Sequence, residues 1–286
     1  MKAKFIALGV VLAAALGGAA LWFFDGAGSA SSKEAAKETQ TQSSLVDFSH
    51  WAVVLVAGDY RAHSGAPSKV FDNGRHDLAE AFAKIGFNKA NMVQFSVDYD
   101  DGTQHSSVPD IATAMQSVAG RAKDGCLIYF TSHGTPDGMV IDDKILSPAQ
   151  MREMVNNACG ERPSVIVMSA CFSGAFVTPL AGANRIIMTA ARPDRTSFGC
   201  GEMDHYTFFD DCFLRAMPMA GDFPSLGGLV QQCVAERERQ MKATPPSEPQ
   251  VSVGPGVIFT TKWRETPAVP PAGSSAGEFP ARPFNQ

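Results

Sequence analysis

The stretches CLIYFTSHG (126–134) and VIVMSACFSG (165–174) decide the predicted fold of this chain. Each begins as a continuous apolar run of strand length and ends in small polar residues and a glycine. Continuous apolar runs, without alternation, are typical of strands whose sheet is covered on both faces. The residues between the two runs suffice for one helical crossover, as two neighbouring parallel strands would require.

The rest of the chain alternates between strand and helix patterns. Apolar residues between Leu78 and Ile85 recur at the i, i+3, i+4 and i+7 spacing of a helix, and Ser147-Pro148-Ala149-Gln150 has the residues that begin one. This alternation predicts an α/β fold, with a mostly parallel sheet of about six strands and helices on both faces. Strands are predicted at 50–57, 92–97, 126–131, 165–170, 185–190 and 256–260, a hairpin at 138–146, and further helices at 111–119, 205–217 and 225–241.

The N-terminal segment predicts export. Lys2 and Lys4 precede an apolar run over 5–24, which is long enough to cross a bilayer as a helix with its positive flank first. An uncleaved signal anchor is favoured over a signal peptide cut near Gly28-Ser29-Ala30. Both place the remainder in the periplasm or another extracytoplasmic space, and the anchor would tether it to the inner membrane. We predict an anchor or signal peptide at 1–28, a flexible linker at 29–45, a folded domain at 46–264 and a disordered tail at 265–286.

Composition excludes several classes of protein. The 286 residues carry a net charge of −5 without a basic block, so no nucleic-acid partner is expected. Six cysteines are too few for a fold built on disulfides, so an apolar core must carry the stability. Neither zinc-binding histidine spacing nor a phosphate-binding glycine loop occurs in the sequence, and we therefore expect no metal and no cofactor.

The carboxyl ends of the two deciding strands carry a histidine and a cysteine. His133 follows the first strand and Cys171 the second, and neighbouring strands lie about 4.8 Å apart. A thiol beside an imidazole is the minimum for a cysteine nucleophile, because the thiolate is the reactive species. Gly134 and Gly174 would let a substrate approach the backbone N–H groups closely. Taken singly, such a histidine is more often a loop residue and such a cysteine a core residue; together they favour catalysis.

These segments resemble the caspase-like cysteine peptidases. Residues 129–134 and 169–174 are similar to the two catalytic motifs of that group. Further segments make the chain look most like the legumain family of asparaginyl endopeptidases, peptidase family C13: residues 50–58, the Asn-x-Arg-His motif at 73–76, and 189–200. The resemblance covers about residues 50–217 and implies a caspase-like fold.

The resemblance also implies a catalytic role for individual residues. Cys171 would attack the scissile carbonyl, and His133 would act as general acid/base and protonate the leaving amine. Asn73 is similar to the family residue that orients this histidine; without the resemblance, a helix cap is the alternative role for it. Backbone N–H groups of Gly134 and Cys171 would form the oxyanion hole.

A substrate pocket is implied in the same way. Arg75 and Asp211 would offer a donor and an acceptor to the residue before the cut, as the amide of an Asn side chain requires. Without the resemblance, the alternative prediction is that Arg75 and His76 are solvated first-turn residues and that Asp210 and Asp211 lie on a helix surface. The other predicted substrate contacts are His76, Ser169, Thr196 and Ser197.

The implied function is a cysteine endopeptidase that cuts peptide or protein substrates after Asn, and after protonated Asp, through a thioester. A transamidase or peptide ligase would share that thioester, and a catalytically inactive exported binding domain would share the fold. Ser169 and Phe172 stand where mammalian members of the family carry acidic residues, which alters the charge of the pocket.

The remaining cysteines suggest two bridges. Cys126 begins one strand and Cys159 precedes the next, so both belong to the end of the sheet away from the catalytic residues. Cys212 and Cys233 lie on two predicted helices. An oxidising compartment would allow the pairs Cys126–Cys159 and Cys212–Cys233.

Overall fold

A computed structural model describes residues 45–98, 103–258 and 260–265. The predicted anchor or signal peptide, the linker up to residue 44 and the tail from 266 therefore lie outside the described residues. Among the helices of the described ranges, none combines the length and the apolar character that a membrane crossing requires.

Ten strands and six α-helices form the described part of the chain. The strands are β1 Trp51–Ala57, β2 Met92–Ser96, β3 Gln104–His105, β4 Gly125–Thr131, β5 Gly134–Thr135, β6 Gly138–Ile141, β7 Lys144–Leu146, β8 Ser164–Ser169, β9 Arg185–Thr189 and β10 Gln250–Val253. The helices are α1 Val70–Lys84, α2 Val108–Arg121, α3 Pro148–Cys159, α4 Val177–Leu180, α5 Phe208–Ala216 and α6 Phe223–Met241, with short 3₁₀ turns at Lys89–Asn91 and Ser173–Phe176.

Seven of the strands form one sheet in the order β10-β9-β8-β4-β1-β2-β3, in which only β10 runs antiparallel to its neighbour. The mostly parallel α/β architecture is as predicted, with one strand more than the six expected. The strands β5, β6 and β7 form a separate small antiparallel sheet. It contains the predicted hairpin, which turns at Asp142 in a left-handed conformation.

The sheet separates two apolar cores. Along β1, Val53 and Leu55 belong to the core beneath α1, α5 and α6, while Val54 and Val56 belong to the core beneath α2 and α3. Successive side chains of a strand point to opposite faces, so a strand covered on both sides is apolar at every position. This explains why the deciding stretches show no alternation.

Two local predictions are confirmed in detail. Helix α3 begins with a capping box, in which Ser147 accepts from the N–H of Gln150 and the Gln150 side chain accepts from the N–H of Ser147. Both predicted disulfides are present, Cys126–Cys159 between β4 and α3 and Cys212–Cys233 between α5 and α6.

The predicted edge strand at 256–260 is wrong. The edge strand is β10, which pairs with the free side of β9. Residues 254–257 form a turn instead, in which the Gly256 N–H donates to Ala183 O at 2.8 Å and the Val257 N–H donates to Gly254 O. The polar pattern of Gln250–Val253 suits an edge strand with one open face, a signal weaker than the apolar run that follows it.

Candidate active site

The structure brings the residues after β4 and β8 together. Thr131 of β4 pairs with Ser169 of β8, so His133 and Cys171 each follow two residues beyond a matched pair. Gly134 lies against the Cys171 backbone so closely that a Cβ added there would sit 2.0 Å from the Cys171 carbonyl oxygen. Only glycine fits at this contact, which joins the residue after the histidine to the cysteine itself.

His133 is held by a backbone carbonyl. Its Nε2 atom lies 2.9 Å from Arg61 O, in the loop that follows β1. A carbonyl only accepts hydrogen bonds, so Nε2 carries the proton and Nδ1 is the nitrogen of the neutral ring that can accept one. The Phe71 ring packs edge-on against the imidazole, with 5.0 Å between the ring centres.

The sulfur of Cys171 contacts Ser197. The Ser197 N–H points at Sγ over 3.2 Å, and the Ser197 hydroxyl lies 3.6 Å away. The next residue, Phe172, has a left-handed backbone with φ of 58°, a conformation that costs a bulky residue roughly 1 to 2 kcal/mol. Such strain is found preferentially at functional sites.

Cys171 and Cys200 are the two cysteines outside disulfides. Burial, with a smaller contribution from nearby Cys171, raises the pKa of the Cys200 thiol to about 11. Cys200 is therefore a protonated thiol at neutral pH and a poor nucleophile. Of the two free cysteines, Cys171 is the one that combines a place at the strand end beside His133 with a backbone N–H donor on its sulfur.

Beneath the site lies a buried carboxyl group. Asp210 accepts hydrogen bonds from the Tyr129 hydroxyl at 2.7 Å and from the Thr131 hydroxyl at 2.6 Å. Burial raises the pKa of Asp210, an effect that hydrogen bonds from these hydroxyls oppose. Ser169 belongs to this cluster and is 1% exposed. The sequence predicts that Ser169 contacts the substrate, but in the structure its side chain is buried and faces the protein interior.

No hydrogen bond joins Asn73 to His133, both of which the structure describes. The Asn73 side-chain amide donates to His205 O at 3.1 Å and lies 3.2 Å from His205 Nδ1. The hydrogen-bond partner of the His133 imidazole is therefore Arg61 O, and the amide of Asn73 is bonded elsewhere. Sequence reasoning missed Arg61 because the contact uses a backbone oxygen, which every residue type carries.

The predicted donor–acceptor pair of the substrate pocket is not formed. Arg75 is buried and donates to Asp72, at 2.9 Å, and to Gln94 of β2. Asp211 is also buried, and accepts from Arg215 at 2.9 Å and from Arg237 at 2.5 Å. The guanidinium and the carboxylate are thus each occupied within a different cluster.

The remaining predicted contacts differ in their positions. Ser197 lies at the nucleophile, as described above. Thr196 is exposed beside it. His76 is exposed on α1, where its Nδ1 atom lies 2.8 Å from Asp77. Within residues 45–98, 103–258 and 260–265, no cluster of three or more histidine, cysteine or acidic side chains could hold a metal ion.

The chain is similar to a peptidase family in sequence and to a caspase in fold. The model of the peptidase C13 family matches residues 52–222. Among solved structures, the crystal structure of caspase-1 from Spodoptera frugiperda superposes with a TM-score of 0.54 and 14% sequence identity, covering 74% of this chain and 89% of that chain. At that identity the likeness concerns the fold alone. No curated protein matches the chain.

Proposed function

The chain belongs to the peptidase C13 family, and from that premise we propose that it is a cysteine endopeptidase acting through a thioester on Cys171. The observation that carries the proposal is the contact of Gly134 with the Cys171 carbonyl, which places the histidine strand end directly against the cysteine. The hydrogen bond from His133 Nε2 to Arg61 O adds support, because it leaves Nδ1 as the proton acceptor.

In this mechanism Cys171 Sγ attacks the carbonyl carbon of the scissile peptide bond after its proton passes to His133. Backbone N–H groups of Gly134 and Cys171 stabilise the negative charge that develops on the carbonyl oxygen. The C–N bond breaks as His133 returns the proton to the leaving amine, which leaves a thioester on Cys171. A water molecule, deprotonated by His133, hydrolyses the thioester and restores the thiol.

The proposed specificity is cleavage after Asn, and after Asp where that side chain is protonated. Support comes from the resemblance at 73–76 and 189–200, and not from a pairing of Arg75 with Asp211. An Asn side chain needs one donor and one acceptor. In this chain the hydroxyls of Thr196 and Ser197, next to the nucleophile, are the candidate partners.

The proposed location is outside the cytoplasm, with residues 5–24 as a tether to the inner membrane. Two disulfides support it, because such bonds persist mainly in oxidising compartments. The proposed binding partner is a peptide or protein substrate.

Kinetics on peptides that differ only in the residue before the cut would test the proposal. Full-length wild type, Cys171→Ala and Cys200→Ala would each be incubated with fluorogenic peptides carrying Asn, Asp, Arg or Ala at that position. Wild type and Cys200→Ala should cleave, with the highest kcat/KM at Asn, and Cys171→Ala should not.

Each other outcome identifies an alternative. Preference for Arg or Ala would remove the proposed specificity and keep the peptidase. If, in the presence of an added primary amine, the thioester reacts with the amine faster than with water, the enzyme is a transamidase. Failure of a folded wild-type protein to cleave any peptide or form any amine product would favour an inactive binding domain.

A further inference from the structure

The loop at 58–69, between β1 and α1, holds the catalytic histidine. The His133 imidazole donates to Arg61 O, which belongs to this loop. The loop has little regular structure beyond one isolated bridge between Arg61 and Pro67. A backbone carbonyl positions the imidazole only if its own peptide is fixed, so the groups that fix Arg61 matter for the proposed chemistry.

Asp59 fixes Arg61 with both carboxylate oxygens. Oδ1 accepts from the Arg61 backbone N–H at 3.0 Å and from the guanidinium Nε at 2.8 Å, and Oδ2 accepts from the second guanidinium nitrogen at 3.0 Å. Oδ1 also accepts from the Tyr60 N–H at 2.7 Å. Charge-assisted, two-pronged hydrogen bonds of this kind are strong and directional. Asp59 is 5% exposed, so water competes little for these oxygens.

The start of the loop is itself anchored. The Gly58 N–H donates to Thr131 O at 2.9 Å, and Gly58 O accepts from the Asp142 N–H at 2.7 Å. A Cβ on Gly58 would lie 2.4 Å from Val140 O, so the backbone is enclosed on this side. The Arg61 guanidinium also donates to Asp142 O in the β6–β7 turn. Asp59 thus connects a rigid strand end to the residue that holds the histidine.

We propose that Asp59 is a positioning residue of the peptidase, whose carboxylate holds Arg61 so that Arg61 O keeps the His133 proton on Nε2. The inference rests on the proposed function for its catalytic consequence and on geometry for its effect on the imidazole. Without the carboxylate, Arg61 O moves, the proton distributes between the two ring nitrogens, and Nδ1 is less often available to Cys171. Asp59 touches no substrate in this scheme.

The test compares Asp59→Ala with two milder variants. Asp59→Asn keeps an acceptor for the two backbone N–H groups and loses the charge, and Arg61→Ala keeps the carbonyl and loses the guanidinium. Asp59→Ala should lower kcat by about 10- to 100-fold with KM nearly unchanged, as expected for a misplaced catalytic group. The two milder variants should fall between it and wild type. Asp143→Ala, which removes an exposed carboxylate from the β6–β7 turn, is the matched control.

The second readout is ¹⁵N NMR of histidine-labelled protein, with the His133 signals assigned by their absence in His133→Ala. Wild type should show a protonated Nε2 and an unprotonated Nδ1, and in Asp59→Ala the two shifts should move towards each other. An unchanged His133 pattern with unchanged kcat overturns the inference. If Asp59→Ala fails to fold, Asp59→Asn and Arg61→Ala decide by the same criteria. If wild type cleaves nothing, the NMR result decides alone, so failure of the proposed function stays distinguishable.

Discussion

Removing the disulfide between Cys212 and Cys233 should lower the free energy of unfolding by about 3 kcal/mol. The bond joins α5 to α6 across a sequence separation of 21, for which the chain-entropy relation gives about 3.3 kcal/mol. Both half-cystines are buried in the core beneath α1, so alanine at both positions leaves no unpaired polar group. For a domain of this size the melting temperature should fall by about 7 to 13 °C.

Calorimetry of oxidised wild type and the Cys212→Ala/Cys233→Ala double variant measures this shift, with Cys200→Ala as the unbonded-cysteine control. The Cys126–Cys159 bond spans 33 residues and contributes about 3.7 kcal/mol by the same relation. Reducing both bonds therefore removes about 7 kcal/mol, comparable with the roughly 5 to 15 kcal/mol of a whole domain. A double variant that melts within about 2 °C of wild type would refute the reasoning. A thiol assay of the oxidised, denatured chain should find two free thiols, those of Cys171 and Cys200, and any other number would also refute it.

Two further predictions concern the site. Gly134→Ala should lower kcat/KM about 100-fold, because its methyl group would lie 2.0 Å from Cys171 O unless the strand ends separate; unchanged peptide kinetics would contradict this. Burial raises the pKa of Asp210 above 3.8, its usual value in an unfolded chain. As the pH rises above 3.8, the unfolded chain therefore loses this proton before the folded protein does. The free energy of unfolding of wild type should then fall relative to that of Asp210→Asn. Urea unfolding of both proteins from about pH 4 to 8 measures the difference between their free energies of unfolding. A difference that stays constant or changes in the opposite direction would contradict a raised pKa of Asp210.

Local sequence signals predicted much of the fold. The apolar runs of β4 and β8, the cap at Ser147 and the pairing of Cys126 with Cys159 depend on neighbouring residues or on which end of a strand a residue occupies. The juxtaposition of His133 and Cys171 was predictable for the same reason, because parallel neighbouring strands end at the same edge.

Partner choice over long sequence distances was not predictable. Asp211 is bound by Arg237, a residue 26 positions away on α6 that packs against α5 only in the tertiary structure. The Asn73 amide donates to His205 and not to His133. His133 binds the backbone oxygen of Arg61, and because every residue type carries such an oxygen, the sequence does not single it out. Polar residues near a predicted site have several possible partners, and tertiary packing selects among them.

The central claim is that Cys171 forms a thioester with the substrate. It would be tested most directly by intact-mass and peptide-mapping analysis of full-length protein after brief incubation with a peptide ester ending in Asn and rapid acid quenching. The account predicts one acyl group per chain, located on Cys171, absent in Cys171→Ala and still present in Cys200→Ala. An acyl group on Cys200, or hydrolysis by Cys171→Ala at the wild-type rate, would contradict it.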